Sequence, residues 1–392
     1  MAPHEGLTHL KQYDIKDSNV ELIGTEIDHK VKYKSAETEP AWKGLGQHAG
    51  LYIWRIEDFE VVPWPKEKYG QFYDGDSYIV LHSYKIGDKN GQEQLGHEIF
   101  FWLGQNTSQD EAGTAAYKTV ELDEFLRGVA TQHREIQQQP SDEIMHLFPR
   151  LRILSGGVKS GFRHVEAAEP EEKSMLLRIF KHPGTGSTVV HEVQPIWQSL
   201  DDDDVFVLDK GDKIWVWQGS KCSPMEKAKG AQVVSDLTLA KHIDVEVLSQ
   251  TEARSRVIVD LLGGKNIEQR EFRAPRPVSS TSQSTSSRPQ RLFCLSDASG
   301  QLSFNLVKEG QPVQSTDFQT NDVFLFDTGK AIWVWKGLGA SRSERAMWMK
   351  VAQSYLRQLQ SGPGGDDAHL TPLATVSEGS ESPAFLKVID VR

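Results

Sequence analysis

Three aspartates and three glutamates stand at matched distances from three tryptophans. Asp204 precedes Trp217 by 13 positions and Glu226 follows it by 9; Asp322, Trp335 and Glu344 repeat both intervals. In the first set Asp76, Trp102 and Glu111 are 26 and 9 apart, the 13 extra residues falling in "YKIGDKNGQEQLG". Each aspartate opens an apolar run, as in "DGDSYIVL", and each glutamate falls near the first turn of a helical pattern. Two carboxylates converging from a strand start and a helix start repel unless a cation lies between them. Oxygen ligands alone select a hard ion, and Ca²⁺ accepts about 6 to 8 oxygens, including backbone carbonyls and a bidentate glutamate. The preceding residues Gly75, Asp203 and Asn321 differ in side chain, which a carbonyl ligand would tolerate. A second reading is that the glutamates merely favour the positive end of a helix, that Asp74-Gly75-Asp76 is a turn, and that the run Asp201 to Asp204 is a solvated one. Recurrence in three copies favours calcium.

The elements that carry these residues also recur. "GDKIWVWQGSKCSPMEKAKGAQVV" returns as "GKAIWVWKGLGASRSERAMWMKVAQ" and, more loosely, as "GHEIFFWLGQNTSQDEAGTAAYKTV". The tryptophans lie 115 and 118 residues apart, a domain-sized period. Strand-like openings "LYIWRI", "LLRIF" and "RLFCL" precede the copies. Period-two alternation in "DVFVLD" and "KIWVWQG", followed by helical spacing in "MEKAKGAQVVSDL", predicts an α+β unit, a small sheet with a helix docked on it. The tryptophans are assigned to packing. The division is an N-terminal extension 1–50, repeats at 51–165, 176–270 and 291–392, and a Ser/Thr/Pro-rich linker 274–290. That linker cannot bury a core and predicts a loosely tethered third repeat. Trp42 in "AWKGLGQHAG" predicts that the extension packs on repeat one.

Composition excludes several classes. A formal charge of −11 disfavours nucleic acid, which is bound through clustered cations. The two cysteines, Cys222 and Cys294, form no C-x-x-C pair, and no apolar run approaches the roughly 20 residues of a membrane span. A cytoplasmic protein is expected. "WKGLGASRSE" imitates the start of a nucleotide loop without its third glycine or a P-loop Lys-Ser, and H-E-x-x-H and G-x-S-x-G are absent, so no enzymatic activity is expected. On the helix from about Gln109 to Leu126, Ala112, Ala115, Ala116, Thr119, Leu122 and Leu126 form one line that suits the domain's own sheet. Tyr117 and Val120 form a separate apolar pair, suited to a partner or to a covering loop.

"YDGDSYIVL", "TSQDEAGTAAYKTVELDEFL", "QHREIQ" and "SGGVKSGFRHV" occur in that order, preceded by "IGTEID" and "AWKGLGQ". In these segments the chain resembles the gelsolin family, specifically its three-repeat members. The resemblance implies repeats that each pack a small mixed β-sheet between a long and a short helix. It also implies calcium-dependent binding of actin monomer and filament by a monomeric protein of the actin cytoskeleton, with filament severing and barbed-end capping. Calcium in repeat one would be held by Asp76, Glu111 and the carbonyls of Gly75 and Val158. A second site, shared with bound actin, would use Asp123 and the carbonyls of Gly128 and Ala130. In the later repeats the matching positions are Asp203, Asp204 and Glu226, and Asn321, Asp322 and Glu344. Tyr117, Val120, Asp123 and Glu124 would face actin. Arg150, Arg152, Lys159, Arg163 and His164 would meet acidic phosphoinositides or form an ordinary solvated surface. The filament-side segment of repeat two reads "RIFKHPGTGSTVV", with Arg178 and Lys181 as its fixed cations.

Overall fold

Alternate residues of each central strand feed two different cores. In repeat one, Tyr78 and Val80 join one cluster, while Ile79 and Leu81 join the other. Phe206 and Leu208 are separated in the same way from Val205 and Val207, and Phe324 and Phe326 from Val323 and Leu325. These strands are apolar on both faces because helices cover both, so a period of two survives as aromatic against aliphatic rather than apolar against polar.

The computed structural model describes residues 36–89, 92–148, 151–158, 174–182, 186–239, 243–265, 267, 271–275, 288–361 and 368–389. Repeat one comprises β1 (Gly50–Glu57), β2 (Glu60–Pro63), β3 (Gln71–Tyr73), β4 (Ser77–Lys89), β5 (Gln92–Leu103), α1 (Gln109–Phe125), β6 (Thr131–Ile136), α2 (Asp142–Leu147) and β7 (Arg152–Leu154). Repeat two comprises β8 (Met175–Lys181), β9 (Thr188–Val193), β10 (Val205–Asp209), β11 (Lys213–Gln218), α3 (Pro224–Thr238), β12 (Asp244–Ser249) and α4 (Arg256–Leu261). Repeat three comprises β13 (Arg291–Ser296), β14 (Ser303–Glu309), β15 (Val323–Asp327), β16 (Ile332–Lys336), α5 (Arg342–Gln360), β17 (Leu373–Ser377) and α6 (Pro383–Ile389). Each long helix is the crossover that lets the following strand pair in parallel: β5 with β6, β11 with β12, β16 with β17. The fold is α+β, a mixed sheet between a long and a short helix, three times over.

The repeats share sheets. β6 and β17 occupy equivalent edges, and they pair antiparallel through Gln132 with Thr375, His133 with Ala374 and Arg134 with Leu373. One ten-stranded sheet results, in the order β14-β13-β15-β16-β17-β6-β5-β4-β1-β2. Repeat three is therefore docked, not loosely tethered. Linker composition reports only the connection, whereas two open edges of matching length satisfy each other. Residues 276–287 of that linker lie outside the described residues. A second, seven-stranded sheet, β12-β11-β10-β8-β9-β7-β3, draws two strands from repeat one into repeat two.

The described part of the extension, residues 36–49, lies against repeat one. Trp42 is fully buried, stands edge-on to Trp54 with centroids 5.1 Å apart, and donates from Nε1 to Glu121 Oε1 at 3.0 Å. Lys118 pairs with Glu39 and Glu121, so the arm holds one flank of α1 and leaves another open.

The junction of repeats one and two is built around an imidazole. His191 on β9 pairs with Ile153 of β7 on one side and Arg178 of β8 on the other. Burial, reinforced by His182 and Arg178, pushes its pKa down to about 3. The folded value lies below the unfolded one near 6.5, so this neutral histidine costs nothing at pH 7, and stability is lost as pH falls below about 6.5. The loss reaches about 2 kcal/mol at pH 5. His191→Gln is expected to flatten the fall in melting temperature between pH 7 and 5, read by calorimetry at each pH.

Candidate functional site

One backbone arrangement holds all three strand-start aspartates. Glycine two residues after each tryptophan donates its amide to the aspartate carbonyl: Gly104 to Asp76 at 3.0 Å, Gly219 to Asp204 at 3.0 Å and Gly337 to Asp322 at 3.1 Å. A Cβ on these glycines would lie 2.4, 2.2 and 2.1 Å from the carbonyl oxygens of Asp74, Asp202 and Thr320 respectively. No other residue permits that approach, because real Cβ atoms do not come so close to backbone oxygen. The W-x-G spacing was visible in the sequence and is the signal that this clamp leaves there.

The helix ends are equally regular. Ser108, Ser223 and Ser341 cap α1, α3 and α5, each accepting the amide of the glutamate three residues on. In repeats two and three the glutamate returns the bond. Glu226 Oε2 accepts from the Ser223 amide at 2.7 Å, and Glu344 Oε2 from the Ser341 amide at 2.9 Å, which completes capping boxes. Their other oxygens are also taken, Glu226 Oε1 by the Lys181 amide and Glu344 Oε1 by the Asp297 amide.

Glu111 breaks the pattern. It turns away from its cap and accepts a hydrogen bond from Thr107 Oγ1 at Oε2, leaving Oε1 buried without a hydrogen-bond partner. Asp76 is wholly buried. Its Oδ1 accepts from the Val158 amide at 2.8 Å, and its Oδ2 accepts from Tyr78 at 3.2 Å and lies 3.4 Å from Arg55 Nη1. Burial raises both carboxyl pKa values, and the charge of Asp76 raises Glu111 further. Val158 reaches Asp76 because of the two glycines before it: a Cβ at Gly157 would lie 2.3 Å from Asp76 Oδ1. Asp74, read as a plain turn residue, staples the same segment by accepting the Gly156 amide at 2.9 Å. Val158 thus lies beside Asp76 through its amide, Gly75 is tied to Gly156, and the charge of Asp76 reaches Glu111, whose Oε1 is a buried acceptor without a hydrogen-bond partner, a group a hard cation suits. Among the described residues no cluster of three or more acidic, histidine or cysteine side chains has metal-binding geometry, so such an ion would draw on carbonyls or water as well.

The other assigned residues divide. Tyr117 and Val120 are 63% and 42% exposed on the open flank of α1. Asp123, one turn on, is buried, accepting the Ala130 amide and Gln132 Nε2. Burial raises its pKa, an effect opposed by Lys336 of repeat three. Burial likewise lowers the Lys336 ammonium, opposed by Asp123 and Glu124. The Gly128 amide bonds back to the Asp123 carbonyl at 2.8 Å, which keeps Gly128 and Ala130 beside it. In repeat three the charges of Asp297 and Asp322 add to the burial that raises Glu344.

Three expectations change. The run Asp201 to Asp204 is not solvated, because Asp201, Asp202 and Asp204 are buried against residues 272–275. Arg178 is no surface cation of a filament-side segment, since its side chain is 1% exposed and bound to Asp204. Arg152 lies at the repeat junction, 3.9 Å from Asp236 of α3. Arg150, Lys159, Arg163 and His164 lie outside the described residues.

Comparison with known proteins agrees with this architecture. The pattern of the family described as Gelsolin repeat matches residues 58–145, 186–265 and 305–386. "Gelsolin-like protein 1" of Lumbricus terrestris is 38% identical, across 97% of this chain and 98% of its own. "Severin" of Echinococcus granulosus is 35% identical across 98% and 99%, and "Actin depolymerising venom protein gelsolin 1" of Platymeris rhadamanthus is 32% identical across 89% and 90%. The chain belongs to the gelsolin family, as a three-repeat member. No described helix is long and apolar enough to cross a membrane.

Glu111→Gln keeps an acceptor for Thr107 and removes the charge beside Asp76. It is expected to raise the melting temperature in chelator by about 2–4 °C, the equivalent of about 1 kcal/mol. It should also abolish any rise on adding calcium, with calorimetry in both conditions as the check.

Proposed function

We propose that this chain is a calcium-responsive actin-binding protein that caps and severs filaments, with repeat one as its actin-binding unit. The observation that carries the reading is α1, whose apolar pair Tyr117 and Val120 faces outward while Asp123, on the next turn, is shut against repeat three. An exposed aromatic beside an aliphatic at i and i+3 suits a helix laid into a hydrophobic groove. The name of the Platymeris relative, which speaks of actin depolymerisation, supports actin as the occupant.

Asp76 and Glu111, with the carbonyls of Gly75 and Val158, would hold calcium in repeat one. Calcium would supply there positive charge beyond what Arg55, 3.4 Å from Asp76, provides. Asp123 with the carbonyls of Gly128 and Ala130 would form the second site in the actin complex, and Asp322 with Glu344 a third. The residues of this chain do the gating. While β6 pairs with β17, the charge of Lys336 adds to the Ala130 and Gln132 hydrogen bonds that hold Asp123, and release of that pairing would take the charge away. A divalent ion between Asp123 and a carboxylate of the partner would offset like-charge repulsion. Arg150, Lys159, Arg163 and His164 would serve acidic phosphoinositides.

Pyrene-actin depolymerisation across a calcium titration tests the proposal with wild type and Asp76→Asn side by side. Wild type should accelerate depolymerisation as calcium rises, and the variant should need more calcium. A response that ignores calcium in wild type overturns the reading. Tyr117→Asp removes an exposed aromatic anchor, so it should leave the melting temperature unchanged and weaken monomer binding by about 30-fold, or ~2 kcal/mol. Watching single filaments break separates severing from capping.

A further inference from the structure

At the position where repeat one leaves its carboxylate pair short of positive charge, repeat two carries an arginine bound inside the protein. Arg55 faces Tyr78, Arg178 faces Phe206 and Cys294 faces Phe324 across equivalent strand pairs, each opposite the second residue after its strand-start aspartate. The three side chains occupy one position of the repeat and behave differently. Arg55 directs Nε and Nη2 to Glu57 and only touches Asp76, with Nη1 at 3.4 Å. Arg178 puts both Nε and Nη2 2.6 Å from Asp204 Oδ2, with Nη2 3.4 Å from Asp201 Oδ2. Its Nη1 donates to the Pro275 carbonyl at 2.8 Å and the Ala274 carbonyl at 3.4 Å, and the guanidinium lies over Phe180 and Phe206. Glu226, the other half of the pair, has both oxygens committed to amides, as has Glu344 in repeat three, so the arginine is what sets repeat two apart.

We propose that Arg178 is the resident cation of repeat two: it replaces a metal at Asp204, pins the chain leaving that repeat, and makes the second acidic pair a calcium-independent clamp. This rests on the calcium reading of repeat one and narrows it to repeats one and three. A buried guanidinium with a carboxylate and two carbonyls on its fork is compensated and hydrogen-bonded at once, the condition under which a buried ion pair persists. A divalent ion at Asp204 would have to displace Arg178 from Oδ2 or share the carboxylate with a cation already there. The exit chain is held by the same acidic run. The Phe272 amide donates to Asp202 Oδ1 and the Asp202 amide to the Phe272 carbonyl, while Arg273 bridges to Asp201 and lies 3.5 Å from Asp203. All four aspartates are thereby assigned, three of them buried against a segment some 70 residues downstream.

The test is calcium titration of the full chain by isothermal calorimetry, together with melting temperatures in chelator. Asp76→Asn should lose one bound equivalent, and its failure to do so counts against the calcium reading of repeat one alone. Asp204→Asn and Glu226→Gln should each keep the wild-type number of equivalents. In chelator Arg178→Met and Asp204→Asn should each lower the melting temperature by about 6 °C or more, with the double variant little below the worse single one. Loss of a calcium equivalent in Asp204→Asn or Glu226→Gln overturns the proposal, as do additive shifts in the double variant. If wild type binds no calcium, the non-additive shifts still support the clamp. If Asp204→Asn does not fold, Glu226→Gln decides the stoichiometry.

Discussion

The amide of the glycine after each W-x reaches the carbonyl of a strand-start aspartate, and the contact is so close that the aspartate can stand nowhere else. Three carboxylates are thereby fixed inside the protein, at 0%, 0% and 9% exposure for Asp76, Asp204 and Asp322. A buried carboxylate must be protonated, paired or coordinated, and the effective penalty otherwise is several kcal/mol. Each repeat inherits this problem from the same backbone. They part company in how they solve it: repeat one with a buried glutamate oxygen left unsatisfied, repeat two with Arg178, repeat three with Cys294 and a further aspartate beside Glu344.

The seam between repeats one and three follows the same logic at a second carboxylate. Asp123 is buried at the end of the helix whose middle is exposed, and its compensating charge comes from Lys336 on another repeat. The end of α1 is thereby tied to the arrangement of the repeats. The closed sheet and the satisfied Asp123 are one state, because β17 cannot leave β6 while Lys336 stays.

Much of this was legible in the sequence. The thirteen-and-nine spacing located the acidic pairs, helical spacing put each glutamate near a helix start, and the two faces of α1 could be drawn from the line Ala112 to Leu126 against Tyr117 and Val120. The helix-end role of the glutamates is filled by capping boxes at Glu226 and Glu344, whereas Glu111 bonds to Thr107 instead. What stayed hidden were long-range partners. Nothing local in "LLRIF" says that its arginine turns inward to Asp204, and four consecutive aspartates look solvated until a chain some 70 residues away is laid across them. Pairing of β6 with β17 is likewise a property of two edges, invisible in either alone.

The two junctions differ in strength, and that decides which can open. Repeats one and two share a core as well as a sheet: Phe180 and Val189 of repeat two are buried among Phe72, Ile144 and Ile153 of repeat one. Parting them would expose two large side chains at about 1.5–3 kcal/mol each, before any strand bond is counted. Repeats one and three meet through three residue pairs of β6 and β17, the edge contact of His133 with Trp333 at 5.7 Å, and the charge of Lys336. Strand hydrogen bonds contribute a net ~1 kcal/mol each, so the seam is worth a few kcal/mol. A ligand present at a hundred times its Kd and selective for the open form adds about 2.7 kcal/mol. That is comparable with the weaker seam and well short of the stronger, so of the two junctions the one between repeats one and three is the easier to open.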